Sequence, residues 1–194
     1  MRSHSVNDVP CPEAVIGIDP GKGGYLCLLS LSDGPVQFQA MPVIKPAKGK
    51  SQYDVSTLVA ILRKWASSYN VRLVVIEKQQ AYPGQGGSSN FTIGYGYGLL
   101  MGITAALGLP AESPHPRTWQ SEMLRDVPGS DLKVRSIQAA GRLFPKADLR
   151  TSEHPLAKAN DGRSDSLLLA AFGRRKLVGP AYNEVEGESN EIGT

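Results

Sequence analysis

The sequence predicts an α/β fold, a mixed sheet flanked by helices, and two observations lead to that class. Short apolar runs of five or six residues, typical of buried strands, occur three times in the first forty residues and again at 71–76. Elsewhere, apolar residues recur at the spacing of amphipathic helices. Three strands at the start of the chain, followed by an alternation of helices and strands, predict a sheet with helices packed on its faces.

The first three strands are expected to form an antiparallel meander. They occupy the apolar runs 14–18, 25–30 and 36–40, with a hairpin turn at 32–35 between the last two. Residues 41–52 contain prolines, a glycine and three lysines, so we expect an irregular basic loop there.

A helical crossover leads from the meander to a central parallel strand. Asp54 or Ser56 can cap the helix, whose apolar residues follow the helical period until about Asn70. The β-branched run 71–76 is typical of a strand buried on both faces, and it ends at Glu77.

The remainder is mainly helical. One further strand is expected at 109–114, and helices at 92–107, from Pro116, at 132–143 behind a cap at Ser130 or Asp131, and at 161–177. We therefore predict an N-terminal extension (1–13), one globular domain (14–178) and an acidic, disordered tail (179–194).

Three glycines recur every four residues in the helix expected at 92–107. Gly94, Gly98 and Gly102 would form one flat face on which a second helix can approach closely, so we expect a dimer interface there. The substring GYGYG does not indicate dinucleotide binding, because no strand immediately precedes it and its spacing differs from that fingerprint.

The charge distribution favours a polyanionic partner. The formal net charge is +3, but residues 179–194 contain four glutamates and no basic residue. Without them the chain carries 21 basic and 14 acidic side chains, a net charge of +7.

The sequence indicates a soluble protein of a reducing compartment. No apolar stretch is long enough to span a bilayer, so no membrane partner is expected, and Cys11 and Cys27 lack metal-ligand spacing. Residues 1–13 lack the features of a signal or transit peptide. We expect a cytoplasmic location in a bacterial or phage-infected cell, and a chloroplast only if a transit peptide has been removed.

Four carboxylates form the candidate chemical site. Asp19 and Glu77 each follow a predicted strand, and we expect these two strands to be adjacent and parallel. Asp161 and Asp165 share one face of the last helix, and we expect both strand-end carboxylates to face the start of that helix. Asp19 in Asp-Pro-Gly is also a plausible turn cap, and Asp161 a helix cap. If the four converge, they need a compensating cation, and their hard oxygen ligands suit two Mg²⁺ or Mn²⁺ ions of a phosphodiester-cleaving centre.

The motifs around these carboxylates resemble those of RuvC-type Holliday-junction resolvases, which have an RNase H-like fold with a five-stranded mixed sheet. The acidic motifs are IGIDPGKGG, VVIEKQ and NDGRSDSLLLAAFG. The further segments YGYGLLMGITAALG and SPHPRTW, and the helix after Lys133, look closest to the plant chloroplast resolvase and its bacterial and phage relatives. The resemblance covers roughly residues 14–177.

The resemblance implies a homodimer that nicks four-way junction DNA symmetrically, with two Mg²⁺ or Mn²⁺ ions per active site. Asp19, Glu77, Asp161 and Asp165 match its acidic positions, although Asp165 stands where the closest relatives usually have Glu. Residues expected to contact nucleic acid are Lys45, Lys48, Lys50, Lys78, Tyr82, Phe91, Lys133, Arg135 and Arg163. Tyr82 or Phe91 would stack at the junction centre, or else fold onto the core.

Two other functions remain open at this stage. A related RNase H-like nuclease acting on RNA or an RNA–DNA hybrid would use a similar acidic set. A junction-binding protein without cleavage activity would not need all four carboxylates. A sugar kinase or related ATPase also uses an Asp-Gly turn after its first strand, but this chain is too short for two such lobes.

Overall fold

A five-stranded mixed sheet organises the chain in the computed structural model, which describes residues 11–32, 34, 36–81, 84–151 and 158–179. The strands of these residues are β1 (Glu13–Ile18), β2 (Tyr25–Ser30), β3 (Gln37–Ala40), β4 (Val43–Ile44), β5 (Gln52–Tyr53), β6 (Asn70–Ile76) and β7 (Ala111–Glu112). The helices are α1 (Val55–Ser68), α2 (Gly87–Ala106), α3 (Pro116–Met123), α4 (Leu132–Leu143) and α5 (Asp161–Val178).

The strand order of the main sheet is β3-β2-β1-β6-β7. β2 pairs antiparallel with both β1 and β3, whereas β6 pairs parallel with both β1 and β7. The predicted meander, the helical crossover and the central parallel strand are therefore confirmed.

Each face of the sheet carries its own apolar core, because successive side chains of a strand point to opposite faces. On one face, Ile16 and Ile18 of β1 pack in a cluster with α1 and α2. On the other face, Val15 belongs to a cluster formed with α3, α4 and α5. The result is three layers with the sheet in the middle, which is the predicted arrangement.

Helix α5 lies very close to the sheet at Gly17. A Cβ atom at this position would lie 2.1 Å from the Ser166 carbonyl oxygen and 2.4 Å from the Ala170 amide nitrogen. Because no side chain fits in that space, Gly17 allows the backbone of α5 to approach β1 and sets the position of its first turns relative to the sheet.

The stretch 41–52 is more regular than expected. Instead of an irregular loop throughout, β4 and β5 form a short antiparallel pair around the basic residues 45–51. The buried Tyr53 stabilises this pair, and its hydroxyl donates a hydrogen bond to the Pro20 carbonyl at 2.9 Å. This contact lies between residues far apart in the sequence, so local composition did not reveal it.

Helix boundaries also differ in places from the prediction. Helix α2 begins at Gly87 and not at Thr92, because the glycine-rich segment supplies its first turn and the Thr92 hydroxyl donates to the Ser88 carbonyl at 2.9 Å. Of the alternative caps, Asp54 caps α1 and Asp131 caps α4 through their side-chain oxygens.

Some of the sequence-based predictions fall outside this description. Residues 1–10 of the N-terminal extension and 180–194 of the acidic tail lie outside the described residues. Within the described part of the chain, no helix is both long enough and apolar enough to cross a bilayer. Cys27 is buried, as expected for an apolar strand, and Cys11 is exposed.

Candidate active site

Asp19 and Glu77 lie side by side at one edge of the sheet. Their strands run parallel with Ile18 opposite Ile76, and the Glu77 amide donates to the Ile18 carbonyl at 3.2 Å. Because parallel neighbours end at the same edge, the first residue after each strand comes to the same place. The expectation that these two carboxylates end neighbouring parallel strands is confirmed.

The turn after β1 holds the Asp19 carboxylate against the start of α5. The Gly21 amide donates to Asp19 Oδ1 at 3.3 Å, so the residue also caps its own turn. A Cβ atom at Gly24 would lie 2.7 Å from Asp19 Cγ, and one at Gly162 would lie 3.4 Å from Asp19 Oδ2. Two glycines therefore leave room for this carboxylate between β2 and α5.

Burial dominates the ionisation of Asp19. Burial is the largest cause of a pKa that is raised to about 6 for this carboxyl. The Gly21 hydrogen bond and the Lys133 charge lower the pKa, whereas the Asp161 charge raises it. A carboxylate with a raised pKa is costly to ionise in the free protein. A bound cation would offset that cost.

Asp165 lies one turn into α5, facing Asp19 and Glu77. Burial raises its pKa to about 7, the Ser136 hydrogen bond lowers it, and the charges of the other three carboxylates raise it. Its Oδ1 atom is buried and has no hydrogen-bond partner among the described residues. A buried carboxylate oxygen without a donor is a free ligand position.

Glu77 is held by two hydrogen bonds that approach its two oxygens separately. Trp119 Nε1 donates to Oε1 at 3.0 Å, and Gln79 Nε2 donates to Oε2 at 3.1 Å. Burial raises the pKa of this carboxyl, and the Trp119 hydrogen bond partly offsets the increase. Trp119 is fully buried, so its indole also fixes the direction of the carboxylate.

Asp161 differs from the other three carboxylates because it carries an ion pair. Lys133 Nζ of α4 lies 2.8 Å from Asp161 Oδ2, and this hydrogen bond lowers the pKa of the Asp161 carboxyl. Asn160, not Asp161, caps α5, since its Oδ1 accepts the Arg163 amide at 3.0 Å. The cap interpretation of Asp161 is therefore wrong, and its side chain stays available to the site.

The donor set of this site fits divalent cations. It consists of carboxylate oxygens, three of its members have raised pKa values, and one buried oxygen has no donor. Among the residues that the structure describes, however, no three Asp, Glu, His or Cys side chains are already close enough to hold one ion together. At least one of the carboxylates would therefore have to move before three of them could share one ion.

An open groove of about 1000 Å³ runs past these residues. Glu77 and Asp165 line it on one side, and residues at the start of α3 and α4 line it on the other. The carboxylates are thus accessible to a large substrate.

The predicted nucleic-acid contacts occupy very different environments. Lys45, Lys48, Lys50 and Lys78 are exposed, and Lys50 Nζ lies 3.4 Å from the Ser88 hydroxyl. Phe91 is 74% exposed and stacks on Tyr95 with ring centroids 6.4 Å apart, so it does not fold onto the core. Tyr82 lies outside the described residues.

Two predicted DNA contacts, Arg135 and Arg163, are engaged inside the fold. Arg135 donates to the carbonyls of Val127 and Leu124, each at 2.9 Å. Arg163 donates to the Asp148 carbonyl at 2.9 Å, and its guanidinium lies over the Tyr25 and Phe38 rings. Both arginines therefore stabilise the loops before α4 and α5, and their contact with DNA stays a prediction.

The glycine stripe of α2 is open. A Cβ atom at Gly94, Gly98 or Gly102 would have no other atom within 4 Å, apart from the neighbouring residues and the helix's own backbone. The packing of α2 instead uses Leu100 and Ile103, which belong to the core on that face of the sheet, and Gly96, which packs closely against the Tyr53 ring. The stripe is thus unused within the described chain, and its role in a dimer stays a prediction.

Sequence reasoning missed two residues that support the carboxylates, Trp119 and Ser136. Trp119 is fully buried, and its indole N–H also donates to Glu77. Ser136 is a buried polar residue on α4, and the spacing of its helix offered no sign of its contact with Asp165.

No protein-family model and no curated protein matches the chain. Among solved structures, the chain is similar to RuvC of Thermus thermophilus, with a TM-score of 0.56, 15% identity and coverage of 86% of this chain and 96% of RuvC. T. thermophilus RuvC in complex with a Holliday junction substrate gives a TM-score of 0.50 at 15% identity and the same coverage. The yeast mitochondrial Holliday junction resolvase Ydc2 gives a TM-score of 0.55 at 13% identity, covering 89% of this chain and 85% of Ydc2.

These similarities identify the fold. The five-stranded mixed sheet and its flanking helices form an RNase H-like fold of the RuvC type, as the sequence predicted. At 13 to 15% identity they show nothing further, so function is argued from the site.

Proposed function

We propose that this protein is a divalent-metal-dependent endonuclease that cuts branched DNA, and that it resolves Holliday junctions by paired, symmetric nicks. The observation that carries the proposal is the meeting of Asp19, Glu77 and Asp165 at one sheet edge, with a buried Asp165 oxygen that has no partner among the described residues. Its fold similarity to RuvC, which has a structure with a Holliday junction, and to the resolvase Ydc2 supports this substrate.

The motifs in the sequence make the proposal more specific. Because the three acidic motifs, together with YGYGLLMGITAALG and SPHPRTW, resemble those of the plant chloroplast resolvase and its bacterial and phage relatives, we propose that the chain is related to that group. We expect the same role in DNA recombination and repair.

The four carboxylates would hold two Mg²⁺ or Mn²⁺ ions beside the phosphodiester. Such ions activate the attacking water and stabilise the leaving oxygen. Trp119 fixes Glu77 and the Gly21 amide fixes Asp19, so these two ligands are oriented before substrate binds. Asp165 would add its unpartnered Oδ1 from α5.

Lys133 links the site to the substrate. In the free protein its ammonium pairs with Asp161, while 76% of its side chain is exposed. A phosphate bound at this position would compete with Asp161 for the same ammonium group, and Asp161 would then be able to hold a metal ion. Lys45, Lys48, Lys50 and Lys78 add exposed positive charge for shape-directed, salt-sensitive binding.

The dimer and the aromatic contact complete the proposal. Two copies meeting through the open face of Gly94, Gly98 and Gly102 would present two active sites to one junction. Phe91 is an exposed aromatic ring near the start of that same helix, suited to stacking on an unpaired base.

The proposal is tested by incubating the protein with Mg²⁺ and labelled four-way junction, duplex DNA and RNA–DNA hybrid. We expect symmetric nicks in the junction only, and no nicks with Asp19→Asn. Asp148→Asn, at an exposed carboxylate outside the site, serves as the matched control and should cleave normally.

Each alternative has its own signature in this assay. Cleavage of the hybrid and not the junction would indicate an RNase H-like nuclease, and junction binding without cleavage would indicate a binding protein. If Asp19→Asn cleaved as well as the wild type, the metal mechanism would be wrong.

A further inference from the structure

The groove beside the carboxylates continues beyond them along α3. A second section of about 380 Å³ follows the first, and the two share Arg117, Gln120, Ser121 and Leu132. On α3, Arg117, Gln120 and Ser121 line this path, whereas Trp119 and Met123 are buried in the core. Leu124, which directly follows the helix, lines the second section but is buried as well. The helix therefore forms the floor of one continuous path that starts at Glu77 and Asp165.

The sign of the charge changes along this path. The first section contains the two carboxylates, and the second contains Arg117, Arg125 and Arg135 against the single acidic residue Asp126. The guanidinium groups of Arg117 and Arg125 are exposed and make no hydrogen bond or ion pair with any residue in the described ranges. Arg135 differs, because its guanidinium donates hydrogen bonds to the Val127 and Leu124 carbonyls in the loop between α3 and α4.

An exposed apolar side chain lies where the two sections join. Leu132, the first residue of α4, lines both sections and is 48% exposed. A path with free arginines and an apolar contact suits a ligand with alternating anionic and apolar parts, as the phosphates and sugars of a nucleic-acid strand are.

We propose that this path holds the sugar-phosphate backbone of the strand leading away from the cut site, with Arg117 and Arg125 contacting separate phosphates. The inference rests on the proposed nuclease function and adds the route of the strand. From Arg117 to its last residue, Met123, the helix rises roughly 9 Å, a length over which one strand of B-DNA presents about two to three phosphates. Arg125 lies two residues beyond that end of the helix. The two arginines thus have the spacing to bind different phosphates.

The test measures binding of a labelled four-way junction in EDTA across a range of salt concentrations. Arg117→Ala and Arg125→Ala should each remove one phosphate interaction, so we expect each to reduce the slope of log K against log salt by about 0.7 to 0.9, and the double variant to reduce it by twice that amount. Arg63→Ala, an exposed arginine on α1 behind the opposite face of the sheet, is the matched control and should keep the wild-type slope.

The outcomes separate this inference from the function on which it rests. If the double variant binds with the same slope as Arg63→Ala, the strand does not follow this path, and the nuclease proposal is unaffected. If the wild-type protein binds no junction at all, both are wrong. Circular dichroism of each variant verifies folding, which we expect to be unchanged because both arginines are exposed.

Discussion

Replacing Asp165 with asparagine is expected to stabilise the metal-free protein at neutral and alkaline pH while it removes a proposed metal ligand. The Asp165 carboxyl is buried, and its Oδ1 has no hydrogen-bond partner among the described residues. Asparagine has nearly the same shape, and its carbonyl can still accept the Ser136 hydrogen bond. The substitution therefore removes chiefly the cost of a buried charge.

The size of the effect follows from the pKa of Asp165, about 7 in the folded protein against 3.8 for an unperturbed carboxyl. Between pH 3.8 and about 7, Asp165 holds its proton in the folded protein but has lost it in the unfolded chain. The free energy of unfolding therefore falls as the pH rises through this range. Ionisation of Asp165 lowers the free energy of unfolding by about 4 kcal/mol at pH 8 and by about 1.6 kcal/mol at pH 5. Well below pH 3.8 this reduction vanishes, because the carboxyl is protonated in both states.

Urea denaturation in EDTA at pH 5 and pH 8 measures this directly. Asp165→Asn should gain stability at both values and more at pH 8, whereas cleavage with Mg²⁺ should be abolished. Asp148→Asn provides a control of opposite sign, because the Arg150 hydrogen bond lowers the pKa of the Asp148 carboxyl and its charge is favourable. An equal gain at both pH values, or none at pH 8, would refute the argument that burial penalises the Asp165 charge.

Two further predictions concern residues that position the site. Trp119→Phe keeps an aromatic ring but removes the N–H that holds Glu77, so we expect metal affinity to fall about 10- to 100-fold, measured by Mn²⁺ titration, and an unchanged affinity would show that this hydrogen bond is dispensable. Gly17→Ala places a methyl group 2.1 Å from the Ser166 carbonyl and should lower the free energy of unfolding by about 1 to 3 kcal/mol or more. Gly141→Ala, at an exposed glycine of α4 with open space around its Cβ, should be neutral or stabilising in the same denaturation assay, and equal effects of both substitutions would contradict the close-approach argument.

The fold and the places of the four carboxylates at the ends of β1 and β6 and at the start of α5 were largely predictable, because their sequence signals are local. An apolar run that stops at an acidic residue specifies both a strand and the place where it ends, and the helix between the runs implied parallel pairing. Hence Asp19 and Glu77 were expected at one edge, and the register of Ile18 with Ile76 confirms it. Four-residue spacing likewise placed Asp165 on the same helix face as Asp161.

What was missed depends on contacts between segments far apart in the chain. The β4–β5 pair relies on Tyr53 reaching the Pro20 carbonyl, and the Glu77 carboxylate is oriented by an indole 42 residues away. Arg135 and Arg163 are of a residue type that commonly contacts DNA, yet their guanidinium groups donate hydrogen bonds to backbone carbonyls of nearby loops. No residue pattern within a short window encodes such contacts.

The amino-acid order alone thus determined which elements form and which carboxylates they carry, because strand and helix periodicity and chain breakers act over a few residues. The tertiary structure decided which oxygen of each carboxylate is free, which arginines stay available, and where a strand can leave the site. These three properties depend on how deeply each side chain is buried and on which distant residues the packing brings into contact with it. Asp165 illustrates the division, since its helix face was evident from spacing, whereas its raised pKa and unpartnered Oδ1 arise only from the described fold around it.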